Sequence, residues 1–445
     1  MKLIEKIEFQ LLQKLEGETK LQNQIRQLFL PQSERYDFEK ILSLCQTLLS
    51  SKDFSSLFFN SIKTPEDFSI LQNFSEILKE QGNKEEALSI LESLTHEPDF
   101  FSPVSLRHLI FKIRMTEEEI GNLKKLFCFE PFRTFSIWPN GDVCSCRRVP
   151  YIGNIYKNTF NEIWNSPKAK EIRQSIIDGT FAHCNLYNCD LYRRGALPLR
   201  KDINLDEIAQ NTLPTTGDWG GANSCAQSCF WCRKEVTFDQ EEKALFAIKD
   251  EILSYFINCE NIYTSPSAEF SDSNFTLDLI NRLGPSTPSG KTRLWGFSTN
   301  GLSFTPVVWQ YIEKACTKVR LTITGRSLIS EVFSSVSPNS QLDQWLQNIE
   351  FYLKKRNEGK IIFIRVKVIL SKMNYREIPQ FVKWAHDKGI DEVVFRRMHQ
   401  WGTIDQKIMD DLDVCHPRHP ENEELRNIVN SIPQSPHVIF SDIIV

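Results

Sequence analysis

No run in the 445-residue chain approaches the roughly 20 apolar residues that cross a bilayer. The opening MKLIEKIEFQLLQKLEGETK carries charges throughout, so it is not expected to be a signal peptide. An excess of one charge is lacking too: 53 Lys and Arg stand against 57 Asp and Glu, a net charge of -4. That balance gives no electrostatic ground for nucleic acid or an anionic membrane as the main partner. A Gly-rich phosphate loop, an HExxH helix and a nucleophile elbow are all missing. What remains is ordinary globular composition, 41% hydrophobic and 25% charged, with length for two or three domains. The expected location is the cytoplasm. In that reducing compartment the 12 cysteines are expected to bind metal or do chemistry rather than form disulfides.

Residues 1–122 read as helices, with apolar spacing at Leu71, Phe74, Ile77 and Leu78, then Ala87, Leu88, Ile90, Leu91 and Leu94. Glu80 to Leu94 is faintly similar to a tetratricopeptide helix pair, although an ordinary helical packing domain has the same pattern. Residues 123–205 change to aromatics, turns and five cysteines, the texture of a small metal-stapled domain. From near Thr215, short β-branched runs alternate with longer amphipathic ones. The clearest strands are NIYTS (Asn261 to Ser265), LWGFST (Leu294 to Thr299), VRLTIT (Val319 to Thr324), IIFIRVKVIL (Ile361 to Leu370) and EVVFRR (Glu392 to Arg397). The helical run EIPQFVKWAHDKG ends in a Gly where a C-cap is expected. Such alternation predicts βαβ units and a parallel sheet, because parallel neighbours need a crossover. A further strand just before Cys225 brings the count to six, fewer than the eight of a closed barrel. The fold class is therefore α/β, an open, partial (β/α)6 barrel over residues 206–404, closed by a C-terminal segment, 405–445. Ligands are expected at the carboxyl ends of its strands.

In SCAQSCFWC, Cys225, Cys229 and Cys232 stand at C-x3-C-x2-C spacing in the loop after the first strand, and the next cysteine is Cys259. Iron-sulfur clusters and structural zinc want four ligands. Three thiolates from one loop can hold three irons of a 4Fe-4S cube and leave the fourth iron open to a small molecule. A zinc finger would want a second paired motif, which does not follow within the domain. At these residues, and over roughly Thr215 to Thr403, the chain resembles the radical S-adenosylmethionine superfamily. The resemblance implies that the cofactor chelates the fourth iron, is cleaved by an electron from the cluster, and yields a 5'-deoxyadenosyl radical that abstracts hydrogen. Trp231 matches the aromatic position usual in that family.

The resemblance also implies cofactor contacts. SPSAEF (Ser265 to Phe270) stands where the family often has Gly-Gly-Glu-Pro; only the acid, Glu269, is kept, and the glycines that would let the backbone approach a ligand are absent. STNG, with Ser298 and Asn300, is similar to the family's Thr-Asn-Gly turn. Arg326 in TGRS would pair with the methionine carboxylate, and Asn374 in SKMN occupies the place of a family Asn. The bland readings are a surface acid, a solvated loop arginine and a turn residue.

The second group runs from Cys128 to Cys189 and holds a Trp-Pro-Asn-Gly turn, Cys144, the GNI and NEIWNS elements and a closing cysteine pair. It resembles the SPASM and twitch domains, which carry auxiliary iron-sulfur clusters. Cys128, Cys144, Cys184 and Cys189 make one tetrathiolate set, with Cys146 left over. Zinc on the same four ligands is the alternative. The segment departs from most relatives in preceding the barrel, and its four ligands are too few for the two clusters of a full SPASM domain. CHPRHP near the end contains Cys415, His416 and His419, but its two prolines favour a rigid closing segment over a metal site. Cys259 and Cys316, among apolar neighbours, are expected in the core.

The expectation is a radical S-adenosylmethionine enzyme, of oxidoreductase or lyase type, that modifies a ribosomally made peptide by epimerisation, cross-linking or backbone excision. The helical N-terminal region would hold a leader peptide or a small partner protein, and a flavodoxin or ferredoxin would supply electrons. Oxidation or rearrangement of a sugar or other small metabolite is the alternative among enzymes. A non-catalytic, zinc-binding interaction protein is the alternative outside them.

Overall fold

The computed structural model describes residues 111, 114–138, 140–146, 151–186, 189–204, 208, 213–221, 224–232, 242–264, 268–398, 404–433 and 435–441. The helical reading of residues 1–110, with its tetratricopeptide-like pair, lies outside them. The described residues fall into two compact units. One contains Asn185–Arg194 and the described residues up to Ile120; the other contains Gly121–Cys184 and Gly195–Val445.

The larger unit is built on one sheet of β1 (Thr134–Ile137), β2 (Asp142–Cys144), β3 (Tyr151–Asn154), β4 (Thr216–Trp219), β5 (Asn261–Thr264), β6 (Leu294–Thr299), β7 (Lys318–Gly325), β8 (Ile361–Leu370), β9 (Glu392–Arg397) and β10 (Val438–Ser441). Its spatial order is β10-β9-β8-β7-β6-β5-β4-β1-β2-β3. From β4 to β10 every neighbour is parallel and follows in chain order, and the connections carry helices such as Asn274–Leu283, Leu342–Asn357 and Ile378–Lys388. Crossovers that always step the same way, each right-handed, place their helices on one face and leave the other face as an inner wall. This is the expected βα alternation. All five quoted strands are present, with ends shifted by at most one residue, and the strand before Cys225 is β4.

Side-chain alternation shows which face is which. On β7 Val319, Leu321 and Ile323 are buried, and on β8 Ile364, Val366, Val368 and Leu370 are. They share a core with Trp345, Ile349 and Tyr352 of Leu342–Asn357 and with Phe381 of Ile378–Lys388. Each fully buried side chain of this size contributes about 1.5–3 kcal/mol, so register is strongly specified: a one-residue slip would turn the whole row outward. The alternate residues, Arg320, Thr322 and Thr324 on β7 and Phe363, Arg365, Lys367 and Ile369 on β8, lie on the inner wall in paired register. The helices have clear ends. Ser273 accepts at 3.1 Å from the Thr276 amide to start Asn274–Leu283, and left-handed Gly389 closes Ile378–Lys388 where a C-cap was expected.

The sheet extends past the six-stranded core at both sides. β10 pairs in parallel with β9. β1, from the cysteine-rich segment, pairs in parallel with β4 from Thr134↔Thr216 to Ile137↔Trp219, and antiparallel β2 and β3 follow it. The segments read as 123–205 and 206–404 thus share one sheet. Asn154 ties β3 to the Trp-Pro-Asn-Gly turn, its Nδ2 donating to the Asn140 carbonyl at 3.1 Å and to Asp142 Oδ1 at 2.8 Å. The C-terminal segment is anchored by buried and polar contacts. Cys415 and His419 are buried, Arg397 donates to Asp413 in a buried ion pair, and Tyr375 donates to Glu421 at 2.8 Å and to Glu424 at 2.6 Å. Cys259 and Cys316 are core residues with no exposure. No helix among the described residues is long and apolar enough to cross a membrane.

Candidate iron-sulfur and cofactor site

The carboxyl ends of β4 to β8 bring the candidate residues to one rim of the sheet. β4 leads to Cys225, Cys229 and Cys232, β5 to Glu269, β6 to Asn300, β7 to Arg326 and β8 to Asn374. Parallel strands in register make this unavoidable, because all their carboxyl ends point the same way.

The cysteine loop is sewn to its neighbours through the backbone. Glu269 N donates to the Ser224 carbonyl at 2.8 Å and Phe230 N to the Val336 carbonyl at 3.1 Å, while Cys232 N donates to the Cys229 carbonyl at 3.0 Å. Asp272 Oδ2 accepts from Ala226 N at 2.7 Å and from Ser303 Oγ at 3.1 Å. Two side chains reach the sulfurs: Asn300 Nδ2 stands 3.9 Å from Cys225 Sγ, and Arg326 Nη2 stands 3.5 Å from Cys229 Sγ. Burial pushes the Cys225 thiol up to about 11, helped by the negative charges of Glu269, Asp272 and Cys229 and opposed by a backbone hydrogen bond at Gln227. Such a thiol is protonated at neutral pH and ionises when a metal replaces the proton.

Arg326 is 1% exposed. Its Nη1 donates to the Asn300 carbonyl at 3.3 Å, its Cζ lies 5.2 Å from the Phe333 ring centroid, and its Nε makes no hydrogen bond among the described residues. A buried guanidinium with a spare donor is costly unless an anion accompanies it. Asn374 is buried behind it, donating to the Arg326 carbonyl at 2.6 Å and the Ile369 carbonyl at 2.9 Å and accepting from Ser371 N at 2.9 Å. Asn374 therefore fixes the arginine loop from within the protein.

Glu269 is also buried, at 1% exposure. It accepts from Ser271 Oγ at 2.8 Å and Asn300 N at 2.6 Å, and burial pushes its carboxyl up to about 7 against those donors and the Thr299 hydroxyl. In this position it braces the Thr-Asn-Gly turn against the cysteine loop. That turn needs its glycine: Gly301 has φ +77°, and a Cβ there would lie 2.6 Å from Trp345 Nε1. Asn300 Oδ1 accepts from Leu302 N at 2.6 Å and Ser303 N at 3.0 Å, closing the turn. Ser298, half-buried, lies on the inner wall in register with Thr322. Sequence reasoning missed Asp272 and Glu377, the latter accepting from Ser327 Oγ at 2.7 Å and Leu328 N at 2.6 Å. Both are acids inside short helical turns, with no local sign of what they hold.

The other cysteines lie in different surroundings. Cys128 and Cys144 are buried, and burial pushes both thiols far above their ordinary range. Next in effect comes Cys146, whose negative charge acts on both; Cys184 acts on Cys128. Cys146, left over in the sequence reading, is thus near enough to Cys128 and Cys144 for its charge to act on both. Cys189 belongs to the other compact unit, where its carbonyl accepts from Arg193 N at 2.9 Å. Among the described residues no three Cys, His, Asp or Glu side chains stand close enough together to hold a metal ion as placed. The fit to iron-sulfur chemistry lies in the donors: a thiol-rich loop faced by a buried cation with a spare N–H.

Residues 128–190 match the model of the SPASM family, an iron-sulfur cluster-binding domain. Among solved structures the chain is similar to SuiB of Streptococcus suis bound to the precursor peptide SuiA, with 14% identity, 71% of each chain covered and a TM-score of 0.36. It is similar to SuiB bound to S-adenosylmethionine, with 14% identity, 71% of this chain and 69% of that one covered and a TM-score of 0.34. It is also similar to TYW1 with a lysine-pyruvate adduct, with 13% identity, 50% of this chain and 74% of that one covered and a TM-score of 0.31. No curated protein matches. Residues 128–190 thus match an iron-sulfur cluster-binding domain model, and β1 within them joins a parallel βα sheet that carries the C-x3-C-x2-C loop.

Proposed function

We propose that this chain is a radical S-adenosylmethionine enzyme that modifies a ribosomally made peptide by epimerisation, cross-linking or backbone excision. The observation that carries the reading is the three-cysteine loop at the strand ends, with Asn300 and Arg326 facing two of its sulfurs. When bound, a 4Fe-4S cluster and S-adenosylmethionine would supply one-electron cleavage and a carbon radical that abstracts hydrogen.

Cys225, Cys229 and Cys232 would hold the cluster. Arg326 would offset negative charge, its Nη2 toward Cys229 and its spare Nε toward an anion such as the methionine carboxylate. Asn374 keeps Arg326 aimed, and Glu269 with Asp272 keeps the cysteine loop and the Thr-Asn-Gly turn together. Preorganisation of this kind spares reorganisation at the moment of reaction. On the sequence pattern, Cys128, Cys144, Cys184 and Cys189 would supply the four thiolates of an auxiliary cluster. The peptide substrate is inferred from the SPASM domain, whose bearers often act on peptides. A flavodoxin or ferredoxin would deliver the electron.

The test is anaerobic reconstitution of the full chain with iron and sulfide, followed by assay of 5'-deoxyadenosine. Cys225→Ala, Cys229→Ala and Cys232→Ala are each expected to abolish its formation, and retained formation refutes the assignment. Mass spectrometry of a short peptide encoded beside this gene and co-expressed with the enzyme tests the substrate class. An unchanged mass and unchanged residue chirality count against peptide modification.

A further inference from the structure

Between β7 and the helix Ser330–Val336 the chain has only Arg326 to Ile329, and this short loop carries the guanidinium that faces Cys229. A single turn beyond β8 holds it. Asn374 donates to the Arg326 carbonyl at 2.6 Å, and Glu377, three residues on, accepts from Leu328 N at 2.6 Å and from Ser327 Oγ at 2.7 Å. The Ser327 hydroxyl oxygen in turn accepts from Ile329 N at 2.9 Å, so each of the four loop residues is tied. The turn is itself firm: Ser371 N donates to Asn374 Oδ1 at 2.9 Å and Glu377 N to the Asn374 carbonyl at 3.0 Å. Its two remaining side chains are anchored in the C-terminal segment, Tyr375 on Glu421 and Glu424 and Arg376 on Glu424.

Glu377 is 4% exposed, and among the described residues its partners are neutral groups. A carboxylate buried in that setting loses solvation that no cation restores. It supplies two acceptor oxygens on one rigid group, which fix a hydroxyl and an amide of adjacent residues. Arg326 depends on such a hold, because its own side-chain contacts are long. Nη1 lies 3.3 Å from the Asn300 carbonyl, Nη2 3.5 Å from Cys229 Sγ and Cζ 5.2 Å from the Phe333 centroid. The short bonds are those to its loop, so the backbone at Arg326 to Leu328 sets where the guanidinium points.

We propose that Glu377 is a positioning residue: with Asn374 it clasps the backbone of Arg326 to Leu328 and holds the Arg326 guanidinium against Cys229, where it raises the reduction potential of a cluster on the three-cysteine loop. The proposal rests on the cluster reading above and deepens it. An N–H directed at a ligating sulfur and a positive charge beside it both favour the reduced, more negative form. The charge of Glu377 acts in the opposite sense, since an anion nearby disfavours an added electron. Removing Glu377 therefore lowers the potential if the residue works by aiming Arg326, and raises it if only its own charge is felt.

The test is a dithionite redox titration followed by electron paramagnetic resonance, on the full chain reconstituted anaerobically with iron and sulfide and without S-adenosylmethionine. The signal of the three-cysteine loop is the one that Cys225→Ala removes. Glu377→Ala is expected to cut the ratio of reduced to oxidised cluster at a fixed potential about tenfold, a midpoint about 59 mV lower. Ser327→Ala, a milder change that keeps the acid and serves where Glu377→Ala fails to fold, should lower the ratio about threefold. Arg326→Gln should lower it about tenfold or more, and adding Glu377→Ala or Ser327→Ala to Arg326→Gln should give no further fall, because the group being aimed is gone. An unchanged or raised midpoint in Glu377→Ala, or an equal further fall without Arg326, overturns the proposal. Failure of the unaltered chain to assemble a cluster at the loop overturns it together with the proposed function. A chain that shows these shifts yet makes no 5'-deoxyadenosine with S-adenosylmethionine refutes the proposed reaction and leaves the clasp standing.

Discussion

The two cysteine groups are built on opposite principles. Cys225, Cys229 and Cys232 are half-buried in a loop whose backbone is fastened to neighbouring loops, and polar side chains from other strand ends face two of the sulfurs. Cys128 and Cys144 are buried in a segment whose β strands contribute Phe135, Ile137 and Val143 to the core. Asn300 and Arg326 bring donors to the first group; the second meets mainly burial and the charge of other cysteines. On the proposed function, the thiol set that meets a small molecule lies in a loop at the strand ends, and the one that only holds a metal is part of the core.

Substitution should separate the two. The largest contrast is expected between Cys225→Ala, which should remove all 5'-deoxyadenosine formation with little change in thermal midpoint, and Cys144→Ala, which should lower stability by about 2 kcal/mol or more as a buried ligand and its packing are lost. Thermal unfolding and iron content read both effects, and the contrast collapses if Cys144→Ala unfolds like the unaltered chain. A smaller effect is expected at Arg326. Arg326→Gln should slow cofactor cleavage about a hundredfold by losing a charged donor to the site. An equivalent change at the second group, Arg173→Gln, should leave cleavage within about threefold: Arg173 donates to the Pro131 carbonyl at 3.0 Å and stacks over Trp164, so its work is packing. Smallest is Gly301→Ala, expected to cost about 1–3 kcal/mol in denaturant unfolding because the residue would carry a side chain at positive φ against Trp345. A neutral result there would show that the Thr-Asn-Gly turn can shift to accommodate a side chain.

Much of this was legible in the chain because the signals are local. Ile361–Leu370 and Glu392–Arg397 have the ends read from their β-branched alternation, and the cysteine spacing marks its own loop. β4 is harder to see: TGDW contains Gly217 and Asp218, poor strand formers, and is a strand because β1 and β5 flank it. β10 was not anticipated, since VIFS has a strand's composition but nothing nearby states which edge it joins. The bracing acids were missed for a related reason. Asp272 meets Ala226, and Glu377 meets Ser327, across 46 and 50 positions respectively, separations at which pattern carries no information. Counting leaves Cys146 over; that its charge acts on Cys128 and Cys144 depends on how the hairpin folds back.

The parallel pairing of β1 with β4 bears on how the chain can be cut. Four register pairs from Thr134 to Ile137 cover the backbone of β4, whose other side is taken by β5. Deleting the SPASM segment would bare that strand's row of amide and carbonyl groups and turn an interior strand into a sticky border prone to recruit another chain. The βα half of the sheet is therefore not a detachable cassette. Its solubility would depend on the segment that comes before it, and moving it into another chain would have to carry β1 along or supply another strand in its place.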